Sequence, residues 1–281
     1  MTDIQSAIQD ASTKLTASSD SAWLDAEVIL CHVLDRPRSH LRAWPEKQLS
    51  EQQLSLFSTL IEQRQQGTPV AYLVGSKEFW SRDFQVNPGV LIPRPDTELL
   101  IELSLNFLSN KTNTHIIDLG TGSGIIAVTL AAERPDIKVT ASDRSLQALE
   151  IAKLNSKTHH TDSVQFIHSS WFIDIPACQY DLVISNPPYI DCHDIHLSQG
   201  DVRFEPKSAL IADETGLKDI KEIANHARDY LTHNGALLIE HGYDQQDSVQ
   251  AIFKSFDYNN IETHHDLSGN PRVTTAQWNV E

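Results

Sequence analysis

Apolar residues recur every three to four positions in the first part of the chain. Ile4, Ala7, Ile8, Ala11 and Leu15 share one helical face, and Leu24, Val28, Cys31 and Leu34 share another. This spacing predicts helices over 3–17 and 20–35, the second capped by Asp20 or Ser21. Pro37 and Pro45 bracket a short connection. A third helix opens at Ser50, where Gln53 completes a capping box, and runs through Leu54, Phe57, Leu60, Ile61 and Arg64. Gly67 and Pro69 stop it. No cluster of chemistry-bearing side chains falls here, so a small helical bundle that contacts a partner is expected.

The period changes after residue 77. Aromatic and β-branched residues over 78–93 surround Asn87-Pro88-Gly89, which predicts a hairpin and marks the connection between domains. An apolar helix follows over 99–108, with Asp96 or Thr97 as its cap. From 114 onward, short apolar runs alternate with helical periods. Strands are expected at 115–119, 137–142, 164–168, 180–185, 236–240, 260–264 and 272–279. Helices are expected at 123–134, 145–157, 216–231 and 245–256. Such alternation makes an α/β domain, a mainly parallel sheet covered on both faces.

Composition adds limits. The 281 residues are 40% hydrophobic and 21% charged, as in an ordinary soluble protein. No apolar run is long enough to span a bilayer, and the N-terminus lacks the basic and apolar regions of a signal peptide. Cys31, Cys178 and Cys192 are scattered and odd in number, which fits the cytoplasm and offers no disulfide or zinc framework. No metal is expected. The formal charge is −16, of which residues 1–77 carry −2 and residues 78–281 carry −14. So acidic a body is a poor match to a polyphosphate backbone.

Two rim motifs carry the chemistry. The first expected strand ends in Asp118-Leu119-Gly120-Thr121-Gly122-Ser123-Gly124, where glycines let a ligand approach backbone and a helix start directs N–H groups at it. The second ends in Asp143, nineteen residues after Gly124, placed to accept from ribose hydroxyls. The pair indicates a nucleoside cofactor. Gly122-x-Gly124-x-x-Ala127 also fits a dinucleotide fingerprint, so NAD remains open on this motif, and a helix cap is the lesser alternative for Asp143. Trp171 follows the third strand on the same rim, as an adenine cover or as core.

The other motif is Asn186-Pro187-Pro188-Tyr189, directly after the buried run Tyr180–Ser185. The prolines end the strand, hold Asn186 and Pro187 extended, and remove competing N–H donors. Asn186 Oδ1 and the Pro187 carbonyl can each accept a hydrogen from one NH2 group, with the Tyr189 ring against the plane that bears it.

Together these motifs resemble class I S-adenosylmethionine-dependent methyltransferases. Gly67-Thr68-Pro69-Val70-Ala71-Tyr72, Glu78-Phe79, Leu91 to Glu98, Arg203-Phe204-Glu205-Pro206 and Arg272-Val273 narrow the resemblance to the bacterial release-factor glutamine N5-methyltransferases (the HemK/PrmC family). That family implies a Rossmann-like seven-stranded sheet with an antiparallel last strand, an N-terminal helical bundle and a β-hairpin linker. The corresponding boundaries are 1–77 for a release-factor-binding domain, 78–97 for the linker and 98–281 for the catalytic domain. It implies methylation of the glutamine in the Gly-Gly-Gln motif of class 1 release factors. A monomer with no membrane contact and no direct nucleic acid contact is expected. By resemblance, Gly120, Thr121, Gly122, Ser123 and Gly124 hold the methionine part of S-adenosylmethionine, Asp143 the ribose, and Trp171 the adenine. Asn186, Pro187, Pro188 and Tyr189 bind the substrate amide, with Asn186, Pro187 and Tyr189 catalytic and Asn186 also beside the cofactor. Ser170 stands where the family usually has an acidic residue. A DNA adenine-N6 methyltransferase shares Asn-Pro-Pro-Tyr but needs a basic DNA track. A non-catalytic binding module would not need both motifs intact.

Overall fold

A computed structural model describes residues 2–279. They form two compact units: the chain through Ser76 together with Ser198–Phe204, and Lys77–Leu197 together with Glu205 onward.

In the first unit, helices Ile4–Leu15, Ala22–Leu34 and Glu51–Gln65 appear where apolar spacing places them. Short helices Arg38–Ala43 and Val70–Val74 fill stretches read as connections, being too brief for a periodic signal. Ser50 and Gln53 do form the capping box, whereas Ser21 turns its hydroxyl to Asp25 instead of capping. The buried face of Ala22–Leu34 is Ala26, Ile29 and Leu30; Leu24 is exposed. That helix is apolar on several sides, so its sequence alone admitted the wrong face. Arg64 is buried and pairs with Asp25 and Asp201, each at 2.7 Å, which ties the 198–204 segment into this unit.

The second unit begins with a two-stranded sheet, β1 (Ser76–Phe79) and β2 (Arg82–Gln85). Its turn is Trp80-Ser81, both at positive φ (52° and 56°), the geometry of a two-residue hairpin. Asn87-Pro88-Gly89 is therefore not the hairpin turn. It makes a separate bend, with Asn87 oxygens accepting from Gly89 N and Val90 N. The short polar side chain there serves a local turn outside any strand pair. Asn155 accepts from Gln85 N and donates to Gln85 O, which fixes β2 to helix Leu146–Thr158.

β3 (His115–Leu119), β4 (Lys138–Asp143), β5 (Gln165–His168) and β6 (Tyr180–Ser185) follow. A minimal pair, β7 (Ile190–Asp191) and β8 (Ile211–Ala212), lies off the main sheet. β9 (Leu231–Glu240), β10 (Asn259–His265) and β11 (Pro271–Trp278) complete a seven-stranded sheet in the order β10-β11-β9-β6-β3-β4-β5. β11 is antiparallel to both neighbours, and the β9-β6-β3-β4-β5 pairs are parallel. β9 starts five residues before the expected apolar run because its first part is polar and carries Asn234 at φ 60°.

Successive residues alternate between two apolar clusters. Ile116, Leu182 and Ile184 belong to one, and Ile117, Leu119 and Val183 to the other, as a sheet covered on both faces requires. Chain order reverses between β3 and β6, which opens a crevice at their C-terminal ends. Leu119 pairs with both Ser142 and Ser185, and Asp143 pairs with His168. These registers align the ends of four strands on one rim. Among the described residues, no helix is long and apolar enough to cross a membrane.

Candidate active site

The loop after β3 is built from backbone. Gly120 N and Thr121 N both donate to Ser142 O, at 2.8 and 2.9 Å. Gly120 adopts φ 72°, and a Cβ there would stand 3.3 Å from Trp171 Cζ3. Asp118 anchors the loop from below: its Oδ2 accepts from Thr121 Oγ1 at 2.6 Å and Ala127 N at 3.2 Å. Burial pushes the Asp118 carboxyl up to about 7, against these two donors, and its Oδ1 has no hydrogen-bond partner among the described residues. Asp143 accepts from Ser145 N on one oxygen and Gly122 N on the other, so each oxygen keeps a second lone pair. Burial raises its pKa, and those N–H groups oppose the rise.

A cavity of about 950 Å³, open mouth included, lies over this rim. Gly120, Thr121, Gly122, Ser123, Asp143, Trp171, Asn186 and Pro188 line it, with Ser170 at the same edge. Gly124 does not. Its Cβ position meets Ala152 and Val128 at 3.1–3.3 Å, so its part is close packing between two helices. Trp171 borders the cavity and donates Nε1–H to Asp219.

Asn186 donates Nδ2–H to Thr97 Oγ1 at 3.2 Å. Among the described residues, no protein donor is bonded to Asn186 Oδ1 or the Pro187 carbonyl. Ser185 ties the two strand ends by donating to Leu119 O at 2.7 Å. Pro187 is buried and, like Tyr189, does not line the cavity. Tyr189 departs from its expected pose. Its ring packs against an apolar cluster, and its hydroxyl points inward to Glu240 Oε1 at 3.4 Å. Burial, then the Glu240 charge, pushes the phenol pKa up.

Residues 6–75 match the family model for the PrmC N-terminal domain, and residues 96–202 match the methyltransferase small domain. A release factor glutamine methyltransferase of Aliivibrio fischeri is 47% identical over 94% of this chain and 93% of its own length. One from Escherichia coli is 41% identical over 96% and 97%. The chain belongs to the release factor glutamine methyltransferase family. Among solved structures, a Pyrococcus furiosus methyltransferase superposes with a TM-score of 0.54 at 16% identity, covering 73% of this chain and 92% of that one. This likeness concerns the fold.

Below the rim of this family member lies a polar layer that sequence reasoning missed. Thr97, read as a helix cap, makes no capping bond and is 1% exposed; its hydroxyl serves Asn186. Glu240 ends β9 and is fully buried beside Tyr189, Thr97 and Arg272. Burial pushes its carboxyl up to about 7, while Thr97, Arg272 and Tyr189 pull it down. Arg272 pairs with Asp96 at 3.2 Å and Asp266 at 3.1 Å. Glu205, with no exposed side-chain surface, pairs with Arg94 and accepts from Ile92 N at 3.1 Å, fixing the segment that carries Thr97. The available signal was an acid closing an apolar strand, Leu237-Leu238-Ile239-Glu240.

Proposed function

We propose that this chain transfers a methyl group from S-adenosylmethionine to the side-chain amide nitrogen (N5) of the glutamine in the Gly-Gly-Gln motif of class 1 release factors. One observation supports it most: Asn186, with an open acceptor oxygen, lines the same cavity as the glycine loop and Asp143. The residues fit the cofactor. Gly120 leaves a cradle against Trp171 that a Cβ would crowd, and Asp143 keeps free lone pairs. Gly120 to Ser123 hold the methionine part, Asp143 the ribose and Trp171 the adenine, with Gly124 packing behind the loop.

The cofactor supplies a methyl group on a sulfonium that departs as a neutral thioether. A glutamine nitrogen is a weak nucleophile because its lone pair is delocalised into the carbonyl. Asn186 Oδ1 and the Pro187 carbonyl each accept one amide hydrogen, orient the nitrogen and favour its developing positive charge. Orientation alone reaches ~7–11 kcal/mol at the extreme. The surplus proton leaves after methyl transfer, so no general base is assigned. Tyr189 and Pro188 support Asn186 from its own loop.

A glutamine side chain offers little surface, so recognition of a protein falls to another region. The helical part of residues 1–77 is the docking candidate, with 78–97 as linker and 98–281 as catalytic domain. A short Gly-Gly-Gln peptide then shows lower kcat/KM than the intact release factor.

The test is tritiated S-adenosylmethionine with a purified release factor, its Gln-to-Ala variant and duplex DNA. Label should enter the wild-type factor alone. Label in DNA would transfer the reading to adenine N6, and loss of label with intact factor would end it.

A further inference from the structure

Trp171 stands on a backbone that suits glycine. Its φ is 48°, in the left-handed region, where a bulky side chain is strained. The buried Ser169 holds it there. Its hydroxyl donates to Trp171 O at 2.9 Å and accepts from Asp174 N at 3.0 Å, and its N–H donates to Asp143 O at 3.1 Å. The turn that carries the indole is thus bonded to the residue read as the ribose ligand. Strain kept in place by surrounding bonds marks a side chain that is needed where it is.

The ring is fixed at two edges. Its six-membered edge lies against the glycine loop, where a Cβ at Gly120 would stand 3.3 Å from Cζ3 and 3.6 Å from Cη2. Its other edge carries Nε1, which donates to Asp219 Oδ1 at 3.2 Å. Asp219 lies in the first turn of helix Lys218–Tyr230 and does not line the cavity. An indole has a single polar hydrogen, and here it is used outside the cavity. What Trp171 offers the cavity is carbon, the surface on which a planar base stacks. The torsion between Cβ and the ring is soft, so backbone geometry alone does not set the ring's tilt. The bond to Asp219 does.

We propose that Asp219 is a positioning residue for the cofactor: from behind the cavity wall it holds the Trp171 indole by its N–H, so that the ring is set to receive the adenine before the cofactor arrives. This rests on the reading of Trp171 as the adenine contact. Burial raises the Asp219 carboxyl pKa, and the Trp171 N–H, then Arg144 and Lys218, oppose the rise, while Asp213 adds to it. The indole bond therefore favours the carboxylate, the stronger acceptor. Arg144 also borders the cavity and donates to Ser208 O at 2.7 Å, which places a second fixed group at this end. A wall preset in this way spares the cofactor the cost of ordering it.

The experiment is calorimetric binding of S-adenosylmethionine to wild type, Asp219→Ala, Asp219→Asn, Trp171→Phe, Trp171→Ala and the double variant Asp219→Ala/Trp171→Phe. Asp219→Ala should weaken binding by ~10-fold, the scale of one hydrogen bond to a charged group. Asp219→Asn should recover most of the affinity, because it restores an acceptor oxygen. Trp171→Phe keeps a ring but has no N–H, so adding Asp219→Ala to it should change affinity by less than about twofold. In methylation of a purified release factor, the Asp219→Ala loss should fall on KM for S-adenosylmethionine more than on kcat. In tryptophan-15N-labelled enzyme without cofactor, the indole N–H signal missing from Trp171→Phe should move in Asp219→Ala. Wild-type affinity in Asp219→Ala, or an equal loss in the Trp171→Phe background, overturns the inference, while weakened binding by Trp171→Ala keeps the reading beneath it. Wild-type affinity in Trp171→Ala overturns both.

Discussion

The two ends of the active-site rim are built differently. At the cofactor end, backbone groups do the holding: Gly120 N and Thr121 N on Ser142 O, Gly122 N and Ser145 N on Asp143. Its residues sit close in sequence, and each bond is 2.8–2.9 Å. At the substrate end, side chains do the holding. Thr97, the Asn186–Tyr189 loop, Glu240 and Arg272 come from four distant segments and meet through bonds of 3.2–3.4 Å and a buried carboxylate. Each end also holds a buried carboxyl, Asp118 under the loop and Glu240 under the Asn-Pro-Pro-Tyr segment, but only at the substrate end is the carboxyl bonded to a side chain of the motif itself, Tyr189.

Substitution at each end should separate binding from chemistry. The largest effect is expected from Asn186→Ala, which should cut turnover by ~10²–10³, the usual loss for one polarising group. Its cofactor affinity, by calorimetry, should stay within a few-fold. Turnover within threefold of wild type would erase the division of labour. Asp143→Ala should do the reverse, weakening S-adenosylmethionine binding by about 10–100-fold through lost charge-assisted bonds. NAD titrated in the same cell should not bind saturably.

Stability against pH sharpens the contrast. Asp118 is raised from 3.8 to about 7 in the fold. The folded state therefore holds this proton more tightly than the unfolded chain, and the resulting stability is full below about pH 4 and lost as pH rises through about 7. Asp118→Asn should lose less thermal stability than wild type between these limits, by melting at stepped pH. Equal losses would mean that Asp118 is ionised throughout.

The smallest effect is expected from Tyr189→Phe, a few-fold in turnover at neutral pH. The neutral phenol donates to Glu240 and so favours its ionised form. Removing it should raise the apparent pKa of the Glu240 carboxyl, read from its carbon-labelled carboxyl signal in an NMR titration, and a downward move would contradict the hydrogen bond.

The sequence alone determined the sheet and the cofactor loop. Periods of two and 3.6 are local, and a parallel sheet covered on both faces leaves them strong, as in His115–Leu119 and Tyr180–Ser185, both found at their expected bounds. Glycine spacing is equally local, because it reports what the backbone must do within a few residues. The tertiary structure decided three things that no local pattern holds. It moved the hairpin turn to Trp80-Ser81, where positive φ is imposed on residues that do not advertise it. It turned Gly124 and the Tyr189 ring away from the cavity. It also brought Thr97 and Glu240 under Asn186 across long chain separations. Such a network is specified by strand order and register, which decide what a buried polar group will face once the chain has folded.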